Sequence, residues 1–179
     1  MRPLFQAQDI TATRVTDADV ALFQPLLERC DDFFLRCNGR PARPDEALQM
    51  PQERPPTVPP EHTHLVALWD ARGQLVGILE GLSHYPSPDA WYLGLMLLVP
   101  EVRGQGRGAA VVRGYEDWVR AEGGQVLRLG VAEPNPSALR FWTRMGFQEE
   151  QWVGPVTQGL LSYRVLRMRK PLRAAATTP

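Results

Sequence analysis

The sequence predicts an α/β fold in which a mixed sheet of six or seven strands carries helices on both faces. Seven short apolar segments bounded by turn residues read as strands, at residues 10–15, 64–69, 74–82, 91–99, 126–131, 148–156 and 160–169. Most are joined by short turns, which favour antiparallel pairing. Residues 91–99 and 126–131 are instead joined by a helical pattern, so they predict a central parallel pair.

The size and charge of the chain limit what it can be. Its 179 residues fit one domain, which we assign to 1–170, with 171–179 as a tail predicted to be disordered. Twenty basic and twenty acidic side chains cancel, so nucleic acid and anionic membranes are not expected partners. Neither a signal peptide nor a run of ~20 apolar residues is visible, which predicts a cytoplasmic protein.

The first third of the chain predicts a helix followed by a loop. An apolar stripe from Val20 to Cys37 has helical spacing, and Pro25 within it should kink or split the helix. Cys30 and Cys37 would lie roughly 10 Å apart in one helix, too far for a disulfide, and no metal-type spacing occurs. Residues 40–60 carry seven prolines and predict a long surface loop with a short helix near 45–49.

The most informative stretch is a strand, a glycine-rich turn and a helix over residues 91–119. The turn reads Arg103, Gly104, Gln105, Gly106, Arg107 and Gly108, and helical spacing begins at Ala109. Free backbone N–H groups at a helix start bind anions, and glycines let the main chain approach them closely. The two arginines add positive charge. The spacing fits neither a Walker loop nor a dinucleotide fingerprint.

Two motifs in this order resemble those of the GCN5-related N-acetyltransferases. The turn matches the family's (Q/R)-x-x-G-x-(G/A) loop, and residues 135–147 match its N-x-x-A-x-x-(F/L)-Y-x-x-x-G-F segment. Independently, Asn135 and Pro136 suit a helix start, and Gly146 suits its end. The resemblance implies a GNAT-type, largely antiparallel sheet, and acetyl-CoA bound at the following positions: Met96, Leu97, Leu98, Arg103, Gly104, Gln105, Gly106, Arg107, Gly108, Ala109, Asn135, Ser137 and Phe141.

The resemblance also implies direct attack of an amine on the thioester in a ternary complex. A strand N–H near Leu97 or Leu98 would donate to the thioester carbonyl oxygen, which becomes negatively charged during the reaction. The family's tyrosine acid is replaced here by Trp142, whose indole has no acidic proton to give. Coenzyme A would leave as a thiolate, hydrogen-bonded by Trp142, or be protonated through water. Trp142 is equally consistent with simple packing beside Phe141.

The general base is open at this stage. Gly130 stands where some relatives carry a glutamate, and the candidates are Glu80, His84, Tyr85 and Glu133. Glu80 interrupts an apolar run, and burial would raise its pKa toward that of a useful base. The simpler interpretation puts Glu80 on the solvated face of its strand. Tyr163 is a further candidate for contact with the acceptor.

The leading hypothesis is an acetyl-CoA-dependent N-acetyltransferase, without a metal, acting on a primary amine of a small molecule or peptide. By analogy with the family, residues 40–60 would face that acceptor, although a flexible linker is the alternative. A non-catalytic acyl-CoA-binding module and a nucleotide-binding domain are the rival functions. The exposed edges of a mixed sheet are also compatible with a homodimer.

Overall fold

A computed structural model describes residues 2–172, in which all strands form a single sheet. Its strands are Pro3–Ala7 (β1), Ile10–Val15 (β2), Thr63–Trp69 (β3), Leu75–Ser83 (β4), Ala90–Leu98 (β5), Val126–Ala132 (β6), Gln148–Gln158 (β7) and Leu161–Pro171 (β8). They lie in the order β1-β2-β3-β4-β5-β6-β8-β7. Every neighbouring pair is antiparallel except β5 and β6. The predicted mixed sheet and central parallel pair are confirmed, and β1 is an eighth strand that the sequence analysis did not predict.

The helices follow the sequence signals closely. They are Gln24–Arg29 (α1), Asp31–Asn38 (α2), Glu46–Gln49 (α3), Arg107–Ala121 (α4) and Pro136–Arg144 (α5), with short 3-10 helices at Asp17–Phe23, Met50–Gln52, Pro60–His62 and Pro100–Val102. The predicted split occurs just before Pro25, which occupies the first turn of α1. A second break at Cys30 separates α1 from α2, and α3 confirms the short helix within the proline-rich segment.

The two faces of the sheet are covered by different helices. The Tyr115 side chain of α4 is buried against β4, where a Cβ on Gly81 would overlap its hydroxyl. α1 contacts the same strand. Because side chains alternate along a strand, Glu80 and Leu82 point away from α4. The face opposite α4 is therefore the one on which Glu80 lies.

His64 of β3 is buried in the core, where its ring contacts Trp91 of β5. Its ring stacks on Trp91 with centroids 4.7 Å apart, and its Nε2 lies 2.9 Å from the Ser83 hydroxyl. Arg14 donates to its Nδ1 at 2.6 Å. Burial, and secondarily the charge of Arg14, lowers the pKa of His64 to about 4, so the ring is neutral in the folded protein at ordinary pH.

The last strand, β8, lies inside the sheet between β6 and β7. Its Lys170 donates to Glu116 of α4 at 2.6 Å and to the Met145 carbonyl at the end of α5 at 2.7 Å. The strand continues to Pro171, and Leu172 is buried, so both residues belong to the domain rather than to the predicted tail. Residues 173–179 of that tail lie outside the described part of the chain.

Cys30 and Cys37 are both buried free thiols, and each lies at or within α2. Among residues 2–172 no cluster of three or more histidine, cysteine or acidic side chains is arranged to hold a metal ion. None of the helices in that range combines the length and apolar composition of a membrane span.

Candidate functional site

A slot opens between β5 and β6 because their pairing stops midway. The last paired residues are Leu93 and Leu129. Beyond that point β5 remains paired with β4, and β6 remains paired with β8. The register between β4 and β5 shifts where Glu80 faces Leu95 and Gly81 faces Leu93, which leaves Gly94 as an extra residue. This bulge bends β5 away from β6 and produces the fork.

The main-chain groups that face the slot follow from the hydrogen bonding of β5. Val99 N–H donates to the Val76 carbonyl at 2.9 Å, so the backbone of Val99 is directed toward β4. Backbone groups of an antiparallel strand alternate between its two edges, so Leu97 also faces β4, while Met96 and Leu98 face the slot. Of the predicted strand positions, Met96 and Leu98 thus direct their amides into the opening and Leu97 does not.

The slot opens into a cavity of about 970 Å³. Most of the residues predicted from the sequence line it: Glu80, Met96, Leu97, Leu98, Arg103, Gly104, Gly106, Gly108, Ala109, Asn135, Ser137, Phe141 and Trp142. Gln105 and Arg107, which the loop motif also included, are not part of its wall. The two motifs, which α4 and β6 separate in the sequence, therefore meet around one cavity.

The glycine-rich turn presents open backbone at the start of α4. Gly104 and Gly106 have φ of +77° and +76°, in the left-handed region that favours glycine. No atom lies within 4 Å of the Cβ that either residue would carry in substituted form, so the space above them is free. The first N–H groups of α4 are therefore accessible to an anion.

The two arginines of the turn are held by aspartates in this structure. Arg103 donates to Asp32 of α2 at 2.6 and 3.1 Å, and its Nε donates to the Leu98 carbonyl at 2.7 Å. Arg107 donates to Asp9, in the β1–β2 turn, at 2.8 and 3.0 Å. These bonds lower the pKa of both aspartates. The expectation that both arginines add charge to one spot is wrong for Arg107, which points away from the cavity.

Three other arginines supply positive charge to the cavity wall. Arg36 of α2, Arg113 of α4 and Arg144 of α5 all line it. Within residues 2–172 none of the three forms an ion pair. The sequence analysis did not identify these three arginines as neighbours, because nothing local in the sequence indicates that their side chains meet.

The second motif forms another part of the cavity wall. Asn135 caps α5 as predicted, its Oδ1 accepting from the Ala138 N–H at 3.3 Å and from the Ser137 hydroxyl at 2.9 Å. Arg36 reaches across from α2 and donates to the Ser137 hydroxyl at 3.1 Å. Gly146 follows α5 with φ +88°, as its predicted role at the helix end requires.

Glu80 lies on the cavity wall, half-buried, and not on a solvated strand face. Burial, with a smaller contribution from the charge of Glu53, raises its pKa to about 7. A carboxyl of that pKa is partly ionised at neutral pH and can accept a proton from an incoming amine. The interpretation that placed Glu80 in solvent is therefore wrong, because α1 contacts β4 and residues of α2, α3 and the following segment line the cavity that Glu80 faces.

Two further carboxylates approach the same end of the cavity. Glu46 of α3 is buried and accepts from Arg43 at 2.9 and 3.0 Å and from Arg40 at 3.1 Å. Glu53 is exposed and pairs with Arg43 at 3.4 Å. Both come from the proline-rich segment, which thus forms part of the cavity wall near Glu80. The acceptor-facing interpretation of this segment agrees with that position.

The remaining candidate bases lie elsewhere. His84 is in a turn outside the cavity, where its Nδ1 lies 2.7 Å from the Pro88 carbonyl oxygen. Tyr85 packs edge-on against Tyr92 with ring centroids 5.8 Å apart. Glu133 is bound to Arg164 through both its oxygens, which lowers its pKa. Of the four predicted candidates, only Glu80 lines the cavity.

The aromatic residues predicted near the reaction both line the cavity. Trp142 is half-buried and packs edge-on against Phe141 and Phe147, with centroids 4.9 and 5.3 Å away. It therefore packs against the core and faces the cavity at once. Tyr163 of β8 also lines the cavity, and burial raises its pKa to about 12, so its hydroxyl stays protonated.

Tyr92 is a cavity residue that the sequence analysis did not single out. It precedes the fork on β5, and its hydroxyl lies 2.8 Å from the position that a Cβ on Gly130 would occupy. Burial raises its pKa, which keeps the hydroxyl protonated. Its relation to Gly130 depends on the β5–β6 register, which a single sequence does not reveal.

Comparison with known proteins agrees with this geometry. Residues 27–147 match the Acetyltransferase (GNAT) family. An acetyltransferase from Thermus thermophilus superimposes with a TM-score of 0.72 at 20% identity, covering 91% of this chain and 97% of that one. A Vibrio cholerae spermidine N-acetyltransferase, solved with CoA and spermine, gives 0.71 at 18% identity over 92% and 96%. A GCN5-related N-acetyltransferase from Kribbella flavida gives 0.65 at 20% identity over 92% and 99%. No curated protein sequence matches the chain.

Proposed function

The chain belongs to the GNAT family of acetyltransferases, and from this we propose that it transfers the acetyl group of acetyl-CoA to a primary amine within a ternary complex. One observation carries the proposal: the slot between β5 and β6 joins the open glycine turn to the Glu80 carboxyl within a single cavity. A thioester as long as acetyl-CoA needs an elongated slot, and the amine must reach the acetyl group at the inner end of that slot.

The donor fits the half of the cavity that starts at the turn. We assign the diphosphate to the backbone of residues 103–109, with Arg36, Arg113 and Arg144 as nearby counter-charges. The pantetheine arm then follows the slot and forms hydrogen bonds with the main-chain groups of Met96 and Leu98. Asn135 and Ser137 form another wall of the slot. This assignment leaves the thioester beside the fork.

The proposed reaction moves one proton and one acetyl group. The neutral amine attacks the carbonyl carbon, forming the C–N bond, and a backbone N–H of β5 stabilises the charged oxygen. Glu80 takes the proton that the amine nitrogen loses. The C–S bond then breaks, and coenzyme A leaves as a thiolate beside Trp142, which is reasonable for a thiol of pKa near ~8.5.

The acceptor end favours a molecule that carries other positive groups besides the neutral amine that attacks. Glu46, Glu53 and Glu80 line it, and Arg40 and Arg43 offset only part of that negative charge. The Vibrio cholerae relative is named for a polycationic amine, spermidine, so polyamines are the first acceptors to try. Small-molecule and peptide amines both fit the proposal. We also propose a cytoplasmic location, which cell fractionation tests, and a homodimer, which sedimentation tests.

The test is incubation with acetyl-CoA and a panel of polyamines, monoamines, amino acids and peptide amino termini, with release of free thiol and acetylated product measured. Amine-dependent thiol release supports the enzyme. Tight CoA binding without turnover for any amine would support the alternative, a non-catalytic acyl-CoA-binding module, which Trp142 and Gly130 favour because they replace the family's usual polar groups. Stabilisation by ATP or NAD but not by CoA would contradict both.

A further inference from the structure

The hydroxyl of Tyr92 closes the bottom of the slot. The phenol extends from β5 across to β6, and its oxygen lies 2.8 Å from the Cβ position of Gly130. Val165 of β8 reaches the same point, with its Cγ1 also 2.8 Å away. Gly130 is the first residue of β6 beyond the last β5–β6 pair. The space that a side chain at Gly130 would need is thus filled by Tyr92 and Val165.

The floor of the slot, which Tyr92 and Val165 form, lies where the slot ends. The slot runs back along β5 from the glycine turn to the fork at Leu93, a distance of roughly 16 Å for the five residues from Leu98. A thioester whose diphosphate is bound at the turn enters the slot from that side. Its acyl group is the leading end and is therefore the part that reaches the fork.

The floor is also firmly held. Tyr92 is paired with Leu82 in the β4–β5 ladder, and its ring packs edge-on against Tyr85. Val165 is paired with Ala132 on one side and Val153 on the other. The strand pairs fix the backbone of both residues, and the contact with Tyr85 holds the ring of Tyr92 at the end of the slot.

We propose that Tyr92, together with Val165, sets the length of the acyl group that this protein accepts, restricting the donor to acetyl and other very short thioesters. The inference rests on the proposed function, since it assigns the donor to this slot. The ring and the valine methyl group would meet the third and fourth carbons of a longer chain. Hydrophobic pockets distinguish one methylene by about 10- to 200-fold, which is enough for such selection.

The kinetic test compares acetyl-, propionyl-, butyryl- and hexanoyl-CoA with one accepted amine. The wild type is expected to favour acetyl-CoA, and Tyr92→Ala to raise the ratio of kcat/KM for butyryl-CoA to that for acetyl-CoA at least about tenfold. Tyr92→Phe keeps the ring and removes only the hydroxyl that reaches Gly130, so its ratio should rise by no more than about threefold. Val165→Ala opens the same space from β8 and should raise the ratio about threefold.

An unchanged ratio in folded Tyr92→Ala and Val165→Ala proteins would overturn the inference, as would a wild type that uses butyryl-CoA as well as acetyl-CoA. Thermal unfolding checks that each variant is folded. Calorimetry of acetyl-CoA and butyryl-CoA gives a second readout that needs no amine. If no amine is acetylated, the proposed enzyme fails, but a shift of binding preference toward butyryl-CoA in Tyr92→Ala would still support the length limit.

Discussion

The two ends of the cavity are built in different ways. At the end that we propose for the donor, main-chain groups dominate: the open turn at Gly104 and Gly106, the start of α4 and the free edge of β5. At the acceptor end, side chains dominate, with Glu46, Glu53 and Glu80 set among apolar residues of α1, α2 and the proline-rich segment. The donor end would therefore recognise its ligand through the protein's main-chain groups, and the acceptor end through the protein's side chains.

Because the two ends differ in this way, different substitutions should impair each of them. Backbone recognition tolerates changes of side chain but fails when a glycine conformation is blocked. Side-chain recognition fails when one charged group is removed, even by a substitution of the same shape. Changes at the two ends are therefore expected to separate donor affinity from turnover.

The largest expected effect is on turnover, from Glu80→Gln at the acceptor end. Loss of the proton acceptor should lower kcat/KM by about 10²- to 10⁴-fold and abolish the rise of activity with pH through about 7. Affinity for CoA should be unchanged. Steady-state kinetics at pH values on both sides of that pKa measure this, with Glu133→Gln, outside the cavity, as the matched control. Unaltered kinetics and pH profile would remove Glu80 from the mechanism.

The same substitution should change stability with pH. Folded Glu80 keeps its proton up to about 7, whereas in the unfolded chain its pKa is 4.5. Between these values the folded state binds more protons, so wild-type stability contains a contribution that falls as pH rises. The stability advantage of Glu80→Gln should therefore grow from pH 4.5 to 7, by up to about 3 kcal/mol.

Urea unfolding of both proteins at several pH values measures this difference. His64 acts in the opposite sense, since its pKa is lowered from 6.5 to about 4 and stability falls as pH falls below 6.5. Because both proteins contain His64, its contribution cancels in the comparison. A difference that stayed constant with pH would contradict the raised pKa of Glu80.

At the donor end, Gly106→Val should weaken CoA binding by about 100-fold. Valine is strained at positive φ, and its side chain would fill the space above the turn. Gly73, in the β3–β4 turn, has φ +73° and equally free space around its Cβ position, so Gly73→Val is a matched control. Both variants should lose similar stability, and calorimetry should find weaker CoA binding only for Gly106→Val. Equal affinities would contradict the assigned donor site.

The smallest effect separates the two arginines of the turn. Arg103 lines the cavity and bonds to the Leu98 carbonyl, so Arg103→Gln should weaken CoA binding about tenfold. Arg107 points to Asp9 outside the cavity, so Arg107→Gln should change the affinity less than about twofold. Titrations at low and high salt measure both. A larger loss for Arg107→Gln would show that its side chain turns toward the ligand.

The donor end was largely predictable because its signals are contiguous. A strand, a glycine turn and a helix follow one another in the chain. The residue types of Gly106 and Asn135 alone predict a left-handed backbone conformation and a helix cap. The arginine contacts were not predictable. Asp32 and Asp9 lie 71 and 98 residues away from the arginines that they bind, and only the folded chain brings them together.

The acceptor end was less predictable because its residues come from distant segments. Glu80 was a candidate, but its burial depends on how α1 packs against β4 and how α2 and α3 lie around the cavity, and no periodicity encodes that packing. The position of Tyr92 depends on strand register in the same way. β1 was missed because its five residues lack an apolar pattern, and its half-exposed strand is fixed by pairing with β2.

The position of β8 has a consequence for protein synthesis. Translation delivers β8 after the other strands of residues 2–172, yet β8 separates β6 from β7 and provides the partner of each. While residues 161–171 are still inside the ribosome, β6 has an open edge and the nascent β7 has no strand to join. Because Tyr163 and Val165 of β8 line the cavity, its wall is complete only once this strand has joined the sheet.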